Sequence, residues 1–150
     1  YNDAGWGKLV REGKYEKRRY SDELIAPCVQ AIRKFKKKPD WIAWVPSLKR
    51  EEMVEDFAKR LANALGIPAI CAVRKVKNTQ EQKEMQNSSH QFTNVWGAFK
   101  VVETHHGTCL LFDDMIDSGW TMTVVGFELR KAGVERVIPF ALASATSRVR

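Results

Sequence analysis

Short continuous apolar stretches, alternating with segments of helical period, predict an α/β fold: a mainly parallel central sheet with helices on both faces. Two observations carry this expectation. Asp40–Pro46 (DWIAWVP) and Thr108–Asp114 (TCLLFDD) are apolar without polar alternation, as strands covered on both faces are. After the second, a helical stretch ending at Gly133 leads directly into a further strand, Arg136–Ser144 (RVIPFALAS).

The elements follow in order. Tyr1–Tyr20 is polar, basic and glycine-containing, and reads as a basic arm or linker preceding a domain at 21–150. Ser21 can cap a helix in SDELIAPCVQAIRKFKKK, where Leu24, Ile25, Val29, Ile32 and Phe35 recur at helical spacing. The closing lysines suit a helix C-terminus, and Pro39 stops it. Strand DWIAWVP comes next. Ser47 then caps a second helix, with Glu51 and Glu52 in its first turn, a buried stripe of Met53, Phe57, Leu61 and Leu65, and Gly66 at its end. IPAICAV (Ile67–Val73) reads as another strand. From Arg74 to about Phe92 the chain is polar and without period, and loops of that length inside a domain are functional or disordered. WGAFKVV resumes strand character ahead of TCLLFDD.

The bulk properties narrow the field. A chain of 150 residues, 44% hydrophobic and 29% charged, suits one folded domain. No apolar run approaches the roughly 18–20 residues of a membrane span, and the first residues do not form a secretory signal. The chain does not open on Met, as expected of a piece of a longer polypeptide. Cys28, Cys71 and Cys109 are scattered without a CxxC and read as buried reduced thiols of a cytoplasmic protein. His105-His106, next to Gly107, reads as an exposed turn and not as a metal site. The net charge of +7 points to an anionic partner, and the basic runs Lys8–Tyr20, Arg33–Lys38 and Val73–Lys83 read either as solvated faces or as nucleic-acid contacts.

The chemistry concentrates in Thr108–Thr123. Asp113 and Asp114 stand at the carboxyl end of a buried strand, where open α/β sheets bind ligands. The following turn, Met115, Ile116, Asp117, Ser118, Gly119, Trp120 and Thr121, leads into a helix whose N-terminal N–H groups and macrodipole favour an anion. Ser118 and Thr121 add hydroxyls, and Gly119 lets the backbone approach closely. Acids beside a phosphate site call for something between them. Ribose hydroxyls, or Mg²⁺ on hard oxygen donors, meet that need. The layout predicts a ribose 5-phosphate unit, with hydroxyls on the acids and phosphate in the turn.

LLFDDMIDSGWT resembles the signature of the type I phosphoribosyltransferases, and the resemblance extends over roughly Asp40–Ser144. It implies the type I phosphoribosyltransferase fold. Ser47, Leu48, Lys49 and Arg50 would be a pyrophosphate loop, and Arg74, Lys75, Lys77 and Lys83 would be cations of a flexible loop that closes over the ligand. Arg74, Thr79, Gln80, Gln82 and Asn94 ahead of Gly97-Ala98-Phe99 resemble the branch related to competence protein F. YNDAGWGKLV, SDEL, VPSL, QKEMQN and DDMIDSGWT together resemble the phosphoribosyltransferase-like domain at the C-terminal end of bacterial RecQ-type ATP-dependent DNA helicases. The chain has no GxxxxGK[ST] loop, so it is not the ATP motor.

That resemblance implies a reaction: a nitrogenous base displaces pyrophosphate from 5-phosphoribosyl 1-diphosphate. Asp113 and Asp114 would hold the ribose hydroxyls, oppose the positive charge on the ring, and ligate Mg²⁺ directly or indirectly. Asp117 reads either as a general acid/base or as a helix cap, and Trp120 either as a wall of the base site or as packing. The strand after the motif lacks the lysine of purine-specific members, and no hood segment follows it. The arm is therefore the candidate hood, with Trp6, Tyr15 or Tyr20 near the base. Two functions stand open: a phosphoribosyltransferase acting on an unidentified base, or a catalytically inactive accessory module that binds a nucleotide or nucleic acid and serves a helicase.

Overall fold

The computed structural model describes residues 5–47, 51–76 and 88–144, with backbone alone for 88–91. Its centre is a parallel sheet of three strands, β1 (Trp41–Trp44), β4 (Thr108–Ile116) and β5 (Arg136–Ser144), in the order β1-β4-β5. Register runs from Trp41↔Cys109 to Trp44↔Phe112 on one side of β4 and from Thr108↔Arg136 to Ile116↔Ser144 on the other. The mainly parallel sheet expected from the apolar runs is thus present, and β4 is its middle strand.

Successive residues of a strand face opposite ways. Ile42, Trp44, Leu110 and Phe112 join one core with α2 (Ile25–Arg33) and α3 (Glu51–Leu65). Trp41, Ala43, Cys109 and Leu111 join a second core with α5 (Trp120–Lys131). Helices therefore cover both faces. In α3 the predicted stripe of Met53, Phe57 and Leu61 is buried, and Leu65 packs at its margin.

Four segments differ from expectation. IPAICAV makes one parallel bridge to β1, Ile42↔Ala69, in place of a strand. Ala72 then turns its N–H back to Ile70 O, and its own carbonyl accepts from Val102 N, which diverts the chain into a second sheet. That sheet pairs β2 (Val73–Lys75) antiparallel with β3 (Phe99–Val101). Within the polar stretch that follows, α4 occupies Ser88–Val95. The helix expected to reach Lys38 ends at Arg33, and the Lys38 ammonium caps it by donating to the carbonyls of Arg33 and Phe35. At its start Ser21 Oγ accepts from Glu23 N across a 3₁₀ turn, Asp22–Leu24, the cap the sequence predicts.

The fourth difference concerns the N-terminal segment. Residues Trp6–Glu12 form α1, which continues into a π-helical turn at Gly13–Lys17. Val10 and Tyr20 are fully buried in the core of α2 and α3. Far from trailing over the body, this segment is part of it. Among the described residues, no helix is long and apolar enough to cross a membrane.

Candidate functional site

β1 leaves the sheet one position before β4 reaches its acids. Trp44 is the last β1 residue in register with β4, opposite Phe112, and Val45 N donates to Phe112 O at 2.9 Å. Beyond that point β4 keeps only β5 beside it, through Asp113↔Ala141 and Met115↔Ala143. The diacid therefore occupies the notch where one flanking strand has ended. Asp113 follows the alternation of Cys109 and Leu111, and Asp114 that of Leu110 and Phe112, so neighbouring acids take opposite faces.

Their surroundings differ. Asp113 retains 9% exposure and its Oδ1 accepts from Asp114 N at 2.8 Å. Asp114 is 0% exposed, and its Oδ2 accepts from the Tyr20 hydroxyl at 2.7 Å. A buried carboxylate requires such donors, since an unpaired one would cost several kcal/mol of desolvation.

The turn after the acids is tighter than expected. Met115 and Ile116 still belong to β4, and Trp120 and Thr121 already belong to α5, leaving Asp117, Ser118 and Gly119 as the turn itself. Gly119 is the N-cap of α5 with φ 89°, a left-handed conformation that a side chain would strain. Apart from its chain neighbours, a Cβ added there would meet no atom of the described residues within 4 Å. Ser118 Oγ accepts from Trp120 N at 3.3 Å, and Thr123 Oγ1 donates to Gly119 O at 2.9 Å. Trp120 packs edge-on against Phe92, with ring centroids 5.3 Å apart.

The N-terminal segment borders this site. Lys14 Nζ lies 4.0 Å from Met115 Sδ, next to the diacid. Trp6 Nε1 donates to Leu142 O on β5, and Tyr20 turns inward to Asp114. Of the three aromatics expected near a base, Tyr15 is the exposed one, with Lys14 Nζ 5.0 Å from its ring centre. Periodicity alone held a signal for this segment: Trp6, Leu9, Val10 and Gly13 recur at i, i+3, i+4 and i+7.

The remaining predicted residues fall elsewhere. Ser47 is the last described residue after β1, and Leu48, Lys49 and Arg50 lie outside the described residues, as do Lys77 and Lys83. Arg74 and Lys75, expected in a flexible loop, instead lie in β2, paired with Lys100 and Phe99. Arg74 is exposed. Lys75 Nζ sits 5.8 Å from the Phe99 ring centre, and partial burial lowers its pKa.

A family model described as the phosphoribosyl transferase domain matches residues 55–149, more than half of the chain and all of β4, its turn and α5. The chain belongs to the phosphoribosyl transferase domain family. Solved structures share its fold. Phosphoribosylpyrophosphate synthetase from Mycobacterium smegmatis superposes with a TM-score of 0.54 at 25% identity, over 81% of this chain and 33% of that one. Adenine phosphoribosyltransferase from Leishmania donovani gives 0.52 at 20% identity, over 83% of this chain and 54% of that one. The chain thus spans about a third of the length of the M. smegmatis protein and about half that of the L. donovani enzyme. No curated protein sequence matches it.

In this phosphoribosyl transferase domain the match starts inside α3, so the N-terminal segment with Lys14 and Tyr20 lies ahead of the matched span. Among the described residues no three His, Cys, Asp or Glu side chains gather as a metal site. Asp113, the one acid of the pair that keeps some exposure, is a hard oxygen donor of the kind Mg²⁺ takes when it shares its coordination with ligand phosphates.

Proposed function

We propose that this domain binds a phosphoribosyl ligand, 5-phosphoribosyl 1-diphosphate or a nucleotide, together with Mg²⁺. One observation carries the reading: a carboxylate pair at the open end of the central strand, followed at once by a glycine-capped helix N-terminus. Asp113, the more open acid, takes ribose hydroxyls. Asp114, sealed behind Tyr20, supplies a fixed negative charge in a low-dielectric interior. The 5-phosphate sits on the Asp117–Thr121 backbone at the start of α5. Mg²⁺ would be held by Asp113 together with ligand oxygens and would neutralise the diphosphate, with Asp114 adding charge from behind. Family membership supports the same ligand class.

The reaction class that follows is phosphoribosyl transfer. A base nitrogen attacks C1, the C1–O bond breaks, and its electron pair leaves with the diphosphate. Positive charge develops on the ring, and the two carboxylates oppose it. Asp117, at the start of the turn, would serve as acid or base toward the incoming base. Lys49, Arg50 and Lys77, which lie outside the described residues, are the cations proposed to meet the diphosphate. Sequence resemblance supports a finer assignment, to the competence protein F-like branch and to the C-terminal module of a RecQ-type DNA helicase.

Calorimetric titration of 5-phosphoribosyl 1-diphosphate with Mg²⁺ tests the reading. Binding that needs the metal and is lost in Asp113→Asn is expected. No heat at millimolar ligand overturns it.

The net charge of +7 favours a second reading, an accessory module that binds nucleic acid for a helicase. Deleting residues 1–20 is no clean test, because Val10 and Tyr20 belong to the core. Reversing the exposed cations Lys8, Arg11, Lys17 and Arg18 is, with salt-dependent DNA affinity as the readout.

A further inference from the structure

We infer that Tyr20 is a positioning residue of the ribose site, and that the N-terminal segment exists in this fold to deliver its hydroxyl to Asp114. The inference rests on the phosphoribosyl reading above.

Tyr20 and Asp114 are both 0% exposed, and the hydroxyl-to-carboxylate distance is 2.7 Å. A phenol donating to a carboxylate is a charge-assisted bond, stronger than a neutral one, and burial strengthens it further.

The Tyr20 ring is fixed on several sides. It meets Phe57 edge-on, with centroids 6.2 Å apart at 88°, and Phe57 stacks on Phe112, the residue before the diacid, at 5.4 Å. Its backbone carbonyl accepts from Arg60 Nη2 of α3 at 2.7 Å. Gly13 opens the remaining side: a Cβ there would lie 2.7 Å from Tyr20 Cδ1.

The turn between Gly13 and Tyr20 is built for this placement. The π-helical residues Gly13–Lys17 end at Arg18, the one non-glycine residue with positive φ among those described, at 53°. Arg19 N then returns to Gly13 O at 3.1 Å. The reversal lays the Tyr20 ring against the helix it has just left. A left-handed arginine and a π-helical turn are costly local features. Their product is one buried hydroxyl on one carboxylate.

The Asp114 carboxylate is thereby held in one orientation, and the adjoining peptide keeps its N–H on Asp113 Oδ1. Tyr20 acts on the ligand-facing acid through Asp114 without touching the ligand.

A double-mutant cycle on the full chain tests this, with calorimetric affinity for 5-phosphoribosyl 1-diphosphate and Mg²⁺ as readout. Tyr20→Phe is expected to weaken binding about tenfold. In an Asp114→Asn background the same substitution is expected to change nothing, which a purely structural role would not produce. Circular dichroism follows the fold. If Tyr20→Phe does not fold, Arg60→Gln reads the same coupling through the Tyr20 carbonyl: affinity falls in the Asp114 chain and holds in Asp114→Asn. Unchanged affinity, or an equal loss in both backgrounds, overturns the inference. Wild-type binding that is lost in Asp113→Asn while Tyr20→Phe binds normally overturns this inference alone. A wild type that does not bind overturns the phosphoribosyl reading and the inference with it.

Discussion

The indole N–H of Trp6 donates to the carbonyl of Leu142 at 2.7 Å, tying the first helix to the last strand across 136 positions of sequence. The bond is partly buried, so its loss strands a carbonyl that water reaches poorly. Trp6→Phe keeps an aromatic ring and removes the donor. We expect a loss of about 1 kcal/mol, read as a lower urea midpoint with an unchanged slope.

Gly13 has ordinary helical torsions, so its glycine identity is a matter of space. Alanine would gain about 1 kcal/mol of helix propensity. Its Cβ would also stand 2.7 Å from Tyr20 Cδ1 and 3.0 Å from Arg19 O. Overpacking of this kind costs about 1–3 kcal/mol, and the backbone oxygen cannot yield as a side chain can. Gly13→Ala is therefore destabilising on balance, and thermal unfolding checks it. A higher melting temperature would show that the segment relaxes freely around Tyr20.

Arg60 donates to Asp22, Asp56 and the Tyr20 carbonyl. Its hydrogen bond to Asp22 is the main reason that carboxyl titrates below its ordinary value, with the charges of Arg19 and Arg60 adding to it. The sign follows. A depressed folded pKa gives stability that is present above the unfolded pKa, near 4, and is lost as pH falls through the folded value. Arg60→Gln should lower stability at neutral pH, and the gap to wild type should narrow in acid below about pH 4. Urea midpoints at pH 7 and pH 3 measure both.

Burial pushes the thiols of Cys28 and Cys109 up to about 12, while Cys71 is exposed and its pKa is raised chiefly by desolvation and then by Glu55 and Glu51. The thiolate is the reactive form. At pH 8 a disulfide reagent should titrate one thiol of the native chain, more slowly than a free cysteine, and all three in denaturant. Rapid reaction of all three in the native state would contradict the two-sided core.

The central strands were legible because burial on both faces leaves unbroken apolar runs, and β4 and β5 carry such runs into clear turn signals. The helical stripes of α2 and α3 were legible for the same kind of reason. IPAICAV was legible only in part: Pro68 O accepts from Ile42 N and Ile70 N donates to Ile42 O beside β1, but the pairing stops at that one bridge because Ala72 then turns away toward Val102. α4 was hidden by a polar sequence. At the site, the acids and the glycine turn were visible as chemistry at a strand end. Tyr20 was not, since nothing local to GKYEKRRY indicates that its last tyrosine is buried. That fact depends on Asp114, 94 positions away.

Strand geometry also makes the two acids inseparable from the pairing of β4. Adjacent residues on a strand serve opposite faces, so a slip of one residue would hand Asp113 to Tyr20 and turn Asp114 toward α5. The chemical identity of the site is stored in alignment as much as in side chains. A deletion within Thr108–Phe112 would scramble it while leaving both aspartates in place.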